Sequence, residues 1–204
     1  MDILPHLEER FGAHRVQLIP AENGDEIDLI RLELEVRFPV TVIMTYGLSN
    51  FRMEVPEKWE GRNYNEIYFC LPSYWDWNAL SDEAFSWPFT WIQKLAKHVV
   101  DKNTWYSPGH TFANGNPPQP LSSKMKPNHL ILVDPILLED YLQPIETPDK
   151  TIHFLGITPL YENEFDSKMH RGYYKFIRKY RGANGTELID DFRQSILKKR
   201  FRFF

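Results

Sequence analysis

The stretch "RLELEVRF", residues 31–38, decides the fold. Leu32, Leu34, Val36 and Phe38 fall on one side of an extended chain, and Arg31, Glu33, Glu35 and Arg37 on the other. Strict period-two alternation predicts a strand with one dry face and one wet face, which belongs in an antiparallel sheet. Working outward, "RVQLI" (15–19) also alternates and is followed by the turn-rich "PAENGDE" (20–26). "VTVIMTYGLS" (40–49) and "EIYFCLP" (66–72) are more continuously apolar and read as central strands. Several strands before any second helix argue against a doubly wound βαβ arrangement. The expectation is α+β, with a mixed, mostly antiparallel sheet flanked by helices.

Helical spacing fills in the rest. Ile3, Leu4, Leu7 and Phe11 form one apolar stripe that stops at Gly12. The main helix is expected to start near Pro88 with Ser86 as its cap, its stripe being Trp91, Ile92, Leu95, Ala96 and Val99. "NHLILVDP" (128–135) and "TIHFLGITPL" (151–160) read as buried strands. A helix over Tyr161–His170 follows, Gly172 interrupts it, and "YYKFIRKY" (173–180) resumes the period. Leu188, Phe192 and Ile196 stand four apart in "TELIDDFRQSILKK" (186–199), predicting a final helix capped by Thr186. With no repeat or flexible linker, the chain reads as a single domain over residues 1–204, with 171–204 a basic helical extension.

Composition narrows the function classes. The 204 residues include 15% aromatics, enough to serve interfaces as well as a core. Cys70 is the only cysteine and sits in an apolar run, so no intramolecular disulfide or cysteine-rich zinc site can form and a packed core thiol is expected. The opening residues lack a charged-then-apolar leader and no apolar run reaches spanning length, which predicts a cytoplasmic protein without a membrane partner. The net charge of −4 is unevenly spread: residues 168–204 carry eleven Lys or Arg and three Asp or Glu, whereas residues 1–167 carry 13 and 25. The closing "LKKRFRFF" (197–204) interleaves cations with phenylalanines, a pattern that can hold nucleic acid. The acidic remainder argues against a polyanion, so the tail reads first as a helix end.

"TWYSPGHTFANGNPP", residues 104–118, is the stretch that looks most like chemistry. His110 is its candidate base or ligand, and the loop is expected to fold back toward His98 and Asp101 at the end of the main helix. A hydrolase centred on His110 and Asp101 is the enzymatic alternative. The spacing matches no zinc pattern and no HExxH occurs, so no metal is expected; no phosphate loop, nucleophile elbow or dinucleotide fingerprint is present, so neither is a cofactor. The non-enzymatic alternative has His110 in a turn after Pro108–Gly109 with Trp105 packed beneath it. Ser49 has no positioned base in the sequence and is expected to bond the backbone beside Gly47. Glu162, Glu164 and Asp166 decorate a helix start. Trp75 and Trp77 bracket Asp76 in an expected loop, where the rings would either form a contact surface or cover the core.

Taken in order, "TYGLSNFRM", "IYFCLP", "WPFTWIQKLAKHVVDKNTWYSPGHTF", "LILVDP" and "IHFLGITPLYENEFD" resemble the Suppressor of fused domain family, over roughly residues 27–170. The resemblance implies a mixed sheet flanked by helices and a binding module without catalysis. Gly47, Ser49, Trp87, Pro88, Gly109, His110, Pro159 and Glu164 match the family pattern, and all but His110 are expected to be structural. The family's animal members hold a transcription factor between this domain and a second one, for which this chain is too short. Short members resemble bacterial stand-alone proteins that have been proposed to neutralise a toxin encoded nearby. The expected partner is therefore another protein, contacted through Trp75, Asp76, Trp77, His110, Asn114 and Asn116.

Overall fold

The computed structural model describes residues 3–21, 24 and 27–197. Strands β1 (Val16–Ile19), β2 (Asp28–Glu35) and β3 (Pro39–Tyr46) form an antiparallel meander. The alternation at residues 31–35 becomes β2, with Leu32 and Leu34 buried. It stops short of the expected end, because a tight turn opposes Glu35 to Pro39 and leaves Phe38 42% exposed. Pro39 lacks an N–H and is tolerated at a strand's first position, which suits that turn.

The sheet continues through β4 (Tyr64–Pro72), β5 (Thr111–Ala113), β6 (His129–Val133), β7 (Ile145–Glu146) and β8 (Thr151–Leu160), in the order β1-β2-β3-β4-β8-β6-β5, with β7 paired to β8. Only β4 and β8 run parallel, so the sheet is mixed and mostly antiparallel as the sequence implied.

Helix α2 (Glu83–Lys102) covers one face, packing Trp87, Trp91, Ile92, Leu95 and Val99 against Ile43, Ile67, Phe69 and Leu155. Helix α1 (Leu4–Phe11) covers part of the other face, where Leu7 meets Ile30, Leu32 and Met44, together with Leu138 and Leu142. Helix α3 (Glu162–Arg171) leads into α4 (Tyr173–Gly182), which lays Phe176 and Tyr180 on Ile131, Val133 and Leu160. Each such side chain, fully buried, contributes roughly 1.5–3 kcal/mol.

Two helix expectations need correction. α2 begins at Glu83, not near Pro88, because Asp82 caps it, Oδ1 accepting from Ala84 N at 2.9 Å. Pro88 then lies one turn inside the helix, where it costs the bond its N–H would have made to Ala84. The final helix over 186–196 does not form. That segment is an irregular strap whose Leu188 bridges Cys70 of β4, with Ile189 N donating to Cys70 O at 2.9 Å. The strap enters where the sheet forks: β8 pairs with β4 as far as Gly156 and with β6 beyond it. Tertiary contacts thus outcompete a helical pattern whose Phe192 ends 82% exposed. The basic tail from residue 198 lies outside the described residues.

Candidate functional site

The turn after α2 is built in layers. Asn103, in the left-handed region at φ 46°, ends the helix. Tyr106 is buried and donates its hydroxyl to Leu95 O at 2.9 Å, tying the turn to α2. Gly109 N donates to Leu132 O at 2.7 Å, and Leu132 N to His110 O at 2.9 Å, which joins the turn to β6. Gly109 stands at φ +94°, and a Cβ there would lie 2.9 Å from the Tyr173 ring of α4. Glycine is required at this position both for the backbone and for the close approach.

His110 is half-buried, its ring centroid 4.3 Å from that of Trp105, as the non-enzymatic reading expected. Burial pushes its pKa below the ordinary value, and Lys168 and Lys58 push the same way. A hydrogen bond with the Trp105 backbone pulls it back up. No carboxylate of the described residues figures among these influences. Asp101 instead faces Lys97 at 3.7 Å, and His98 stacks on Tyr106 with centroids 6.5 Å apart. The structure therefore does not pair His110 with Asp101. Among the described residues, no group of three or more His, Cys, Asp or Glu side chains is placed to hold a metal.

Strand β5 is the last in the sheet, paired among the described residues only to β6. His110 O and Asn114 N both bond toward β6, to Leu132 N and Asn128 O. In an antiparallel pair the bonded residues alternate, so Thr111 and Ala113 turn their backbone N–H and C=O outward. A concavity of about 360 Å³ adjoins this edge, lined in part by Trp91, Leu95, His98, Asp101, Phe112 and Ala113. Asn114 Nδ2 donates to Gln119 O and Pro120 O at 3.0 and 2.7 Å, so it ties its own loop together, while Asn116 is exposed at the tip.

At the other aromatic turn the core-covering alternative holds for Trp75, which is therefore not part of the expected contact surface. Trp75 is only 3% exposed and meets Phe85 and Trp87 edge-on, with centroids 5.5 and 6.5 Å away. It covers the core because β4 ends directly against α2. Asp76 Oδ1 accepts from Asn78 N at 2.9 Å and caps a single 3-10 turn. Trp77 is half-buried, with Arg31 4.1 Å above its ring and Phe89 at 5.8 Å.

Several family-pattern residues sit where elements of the fold meet. Trp87 is edge-on to Phe69 at 5.3 Å, and Pro88 beside it is buried. Gly47 sits in the left-handed region at φ +105°. Its N–H and that of Ser49 donate to Glu66 Oε1 at 3.1 and 3.0 Å, while Thr45 Oγ1 donates to Oε2 at 2.5 Å. Glu66 is wholly buried, and burial raises its pKa against the pull of these bonds. Ser49 thus lies beside a carboxylate that sequence reading did not identify.

Glu164, in the first turn of α3, is wholly buried. It accepts from Tyr161 N at 3.0 Å and takes both guanidinium nitrogens of Arg193, at 2.7 and 2.8 Å. Arg193 also donates to Pro159 O at 2.8 Å. Earlier in the strap that carries Arg193, Glu187 accepts from the N–H groups of Ile136, Leu137 and Leu138 and from the Tyr68 hydroxyl, at 2.9 to 3.1 Å. The only signal for Glu187 and Arg193 was their presence as charges inside an apolar-periodic stretch.

With this geometry in view, the Suppressor of fused protein (SUFU) family matches residues 23–194, most of the chain. The chain belongs to that family. No curated protein matches it. Among solved structures, it is similar to one described as the Sufu–Fu complex, at 15% identity and TM-score 0.67, covering 95% of this chain and 90% of that one. It is similar to Drosophila Suppressor of Fused, at 16% identity and TM-score 0.67, covering 96% of this chain and 50% of that one. A SUFU homolog from Neisseria gonorrhoeae matches at 15% identity and TM-score 0.62, covering 97% and 96%. Likenesses at such identities establish the fold, which is the α+β architecture described above. No helix among the described residues is long and apolar enough to cross a membrane.

Proposed function

We propose that this chain is a protein-binding module, not an enzyme, and that it takes an extended segment of its partner along the free edge of β5. The observation that carries this reading is the outward-facing backbone of Thr111 and Ala113 beside a largely apolar concavity. An open edge supplies main-chain hydrogen bonds, and the adjoining hollow supplies side-chain selection. His110 and Asn116 frame the edge, while Trp75 supports the core and makes no contact. The finer proposal is a bacterial immunity role in the cytoplasm, in which the partner is a toxin encoded nearby and the acidic body adds charge complementarity.

The test is co-expression with the product of the neighbouring gene, scored by cell growth, together with calorimetric titration of the purified pair. Ala113→Pro removes an outward N–H without breaking a bond to β6. It should weaken binding at least tenfold while the melting temperature moves by only a few degrees. Equal binding by Ala113→Pro removes the edge reading, and absence of any growth rescue by the wild-type chain removes the toxin partner.

A further inference from the structure

Helix α4 buries Phe176 and Tyr180, which stand four apart, and thereby commits its opposite face to solvent. That face carries Tyr174, 74% exposed, with Lys175, Arg178 and Lys179 around it and Arg171 just before Gly172. Arg181 is neutralised by Glu139. Arg171, Lys175, Arg178 and Lys179 have no ion-pair partner among the described residues. Lys179 suits the C-terminal end of its helix, and Arg171 that of α3. Lys175 is in the first turn of α4, where the helix dipole disfavours a cation and no acidic residue offsets it.

This face is continuous with the turn beside β5. Tyr173 of α4 lies against Gly109, and Lys168 of α3 acts on His110 together with Lys58. We propose that the Arg171–Lys179 face docks a short acidic segment of a partner protein, with Tyr174 as its central contact. From Lys175 to Arg178 and Lys179 the helix rises about 5–6 Å, and the Gly172 joint carries the patch on to Arg171, so its reach matches about three or four extended residues. A partner of that size meets only the cations, whereas a long polyanion also meets the field of residues 1–167, which carry 25 acidic and 13 basic side chains. An exposed tyrosine among arginines is the composition of a protein hot spot. The inference rests on the protein-binding reading for its class of partner only, and it uses a different surface.

The test is fluorescence anisotropy with a labelled octaglutamate peptide at 50 mM salt. A labelled octaglutamine peptide, a 20-nucleotide oligothymidine and phosphatidylserine vesicles serve as the alternatives. The wild type should bind octaglutamate and not octaglutamine. The exposed double substitution Lys175→Glu/Arg178→Glu should weaken binding at least tenfold with an unchanged melting curve, and Tyr174→Ala several-fold. Equal octaglutamate binding by the double variant overturns the proposal. Tighter binding of oligothymidine or of the vesicles by the wild type also overturns it, in favour of those partners. Ala113→Pro should leave octaglutamate binding intact, so loss confined to that variant sinks the α4 face while leaving the edge reading standing.

Discussion

Residues 74–80 and 104–113 each set tryptophan, tyrosine and a titratable side chain into a turn, yet the two turns meet different surroundings. Around Trp75 the end of β4, Phe85 and Trp87 close from every side. Around His110 the chain has β6 on one flank and the start of α4 on another, and among the described residues no strand pairs beyond β5. Aromatic density in a turn therefore signals a rigid joint. Whether the joint is also a contact surface depends on which neighbours the topology brings.

Substitutions should separate the two turns in a definite order of stability. Trp75→Ala empties a packed site and should cost about 3–5 kcal/mol by chemical denaturation, the largest effect; a loss below about 1 kcal/mol would show that the ring does not support the core. Gly109→Ala forces a side chain into a left-handed backbone and onto Tyr173, and should cost about 1–3 kcal/mol. An unchanged midpoint for Gly109→Ala would mean that α4 and the turn move apart freely. Asn116→Ala, at the exposed tip, should stay within about 0.5 kcal/mol. Binding should follow another order: Asn116→Ala reduces affinity more than its stability change accounts for, and titration of the folded variants reads this directly.

Acidity sharpens the same contrast. Burial, then Lys168 and Lys58, lower the His110 pKa below 6.5, so the unfolded chain takes up its proton more readily. That contribution to stability is complete above about pH 6.5 and is lost as pH falls below it. His129 and His153 are lowered too, chiefly by burial, and act in the same direction. Glu66, raised by burial, acts in the opposite sense above its ordinary 4.5. His110→Gln should therefore flatten, without abolishing, the fall in melting temperature between pH 7 and pH 5. A slope equal to that of the wild type would contradict the assigned environment.

Much of the sheet was legible because its signal is local. The alternation at 31–35, the apolar runs of β3 and β4 and the α2 stripe each reflect one face meeting one layer. The strap was not legible, since Leu188, Phe192 and Ile196 obey the helical period as well as any helix does. What defeats that period is the fork at Gly156 and the carboxylates and guanidinium anchored around it. The candidate site was half legible. His110, Gly109 and Trp105 were singled out correctly as one turn, but the outward polarity of Thr111 and Ala113 depends on a register that no short window contains.

By itself, the sequence determined the class of fold, the two amphipathic surfaces that α1 and α2 bury, and the absence of the familiar nucleotide and nucleophile motifs, because these depend on residue type and short-range period. Only the tertiary structure decided that Trp75 is core, that Glu66, Glu164 and Glu187 are buried anchors, and that β5 ends the sheet beside a cationic helix face. Those outcomes rest on contacts between residues far apart in the chain, where a buried charge is tolerated only if a distant segment supplies its hydrogen bonds.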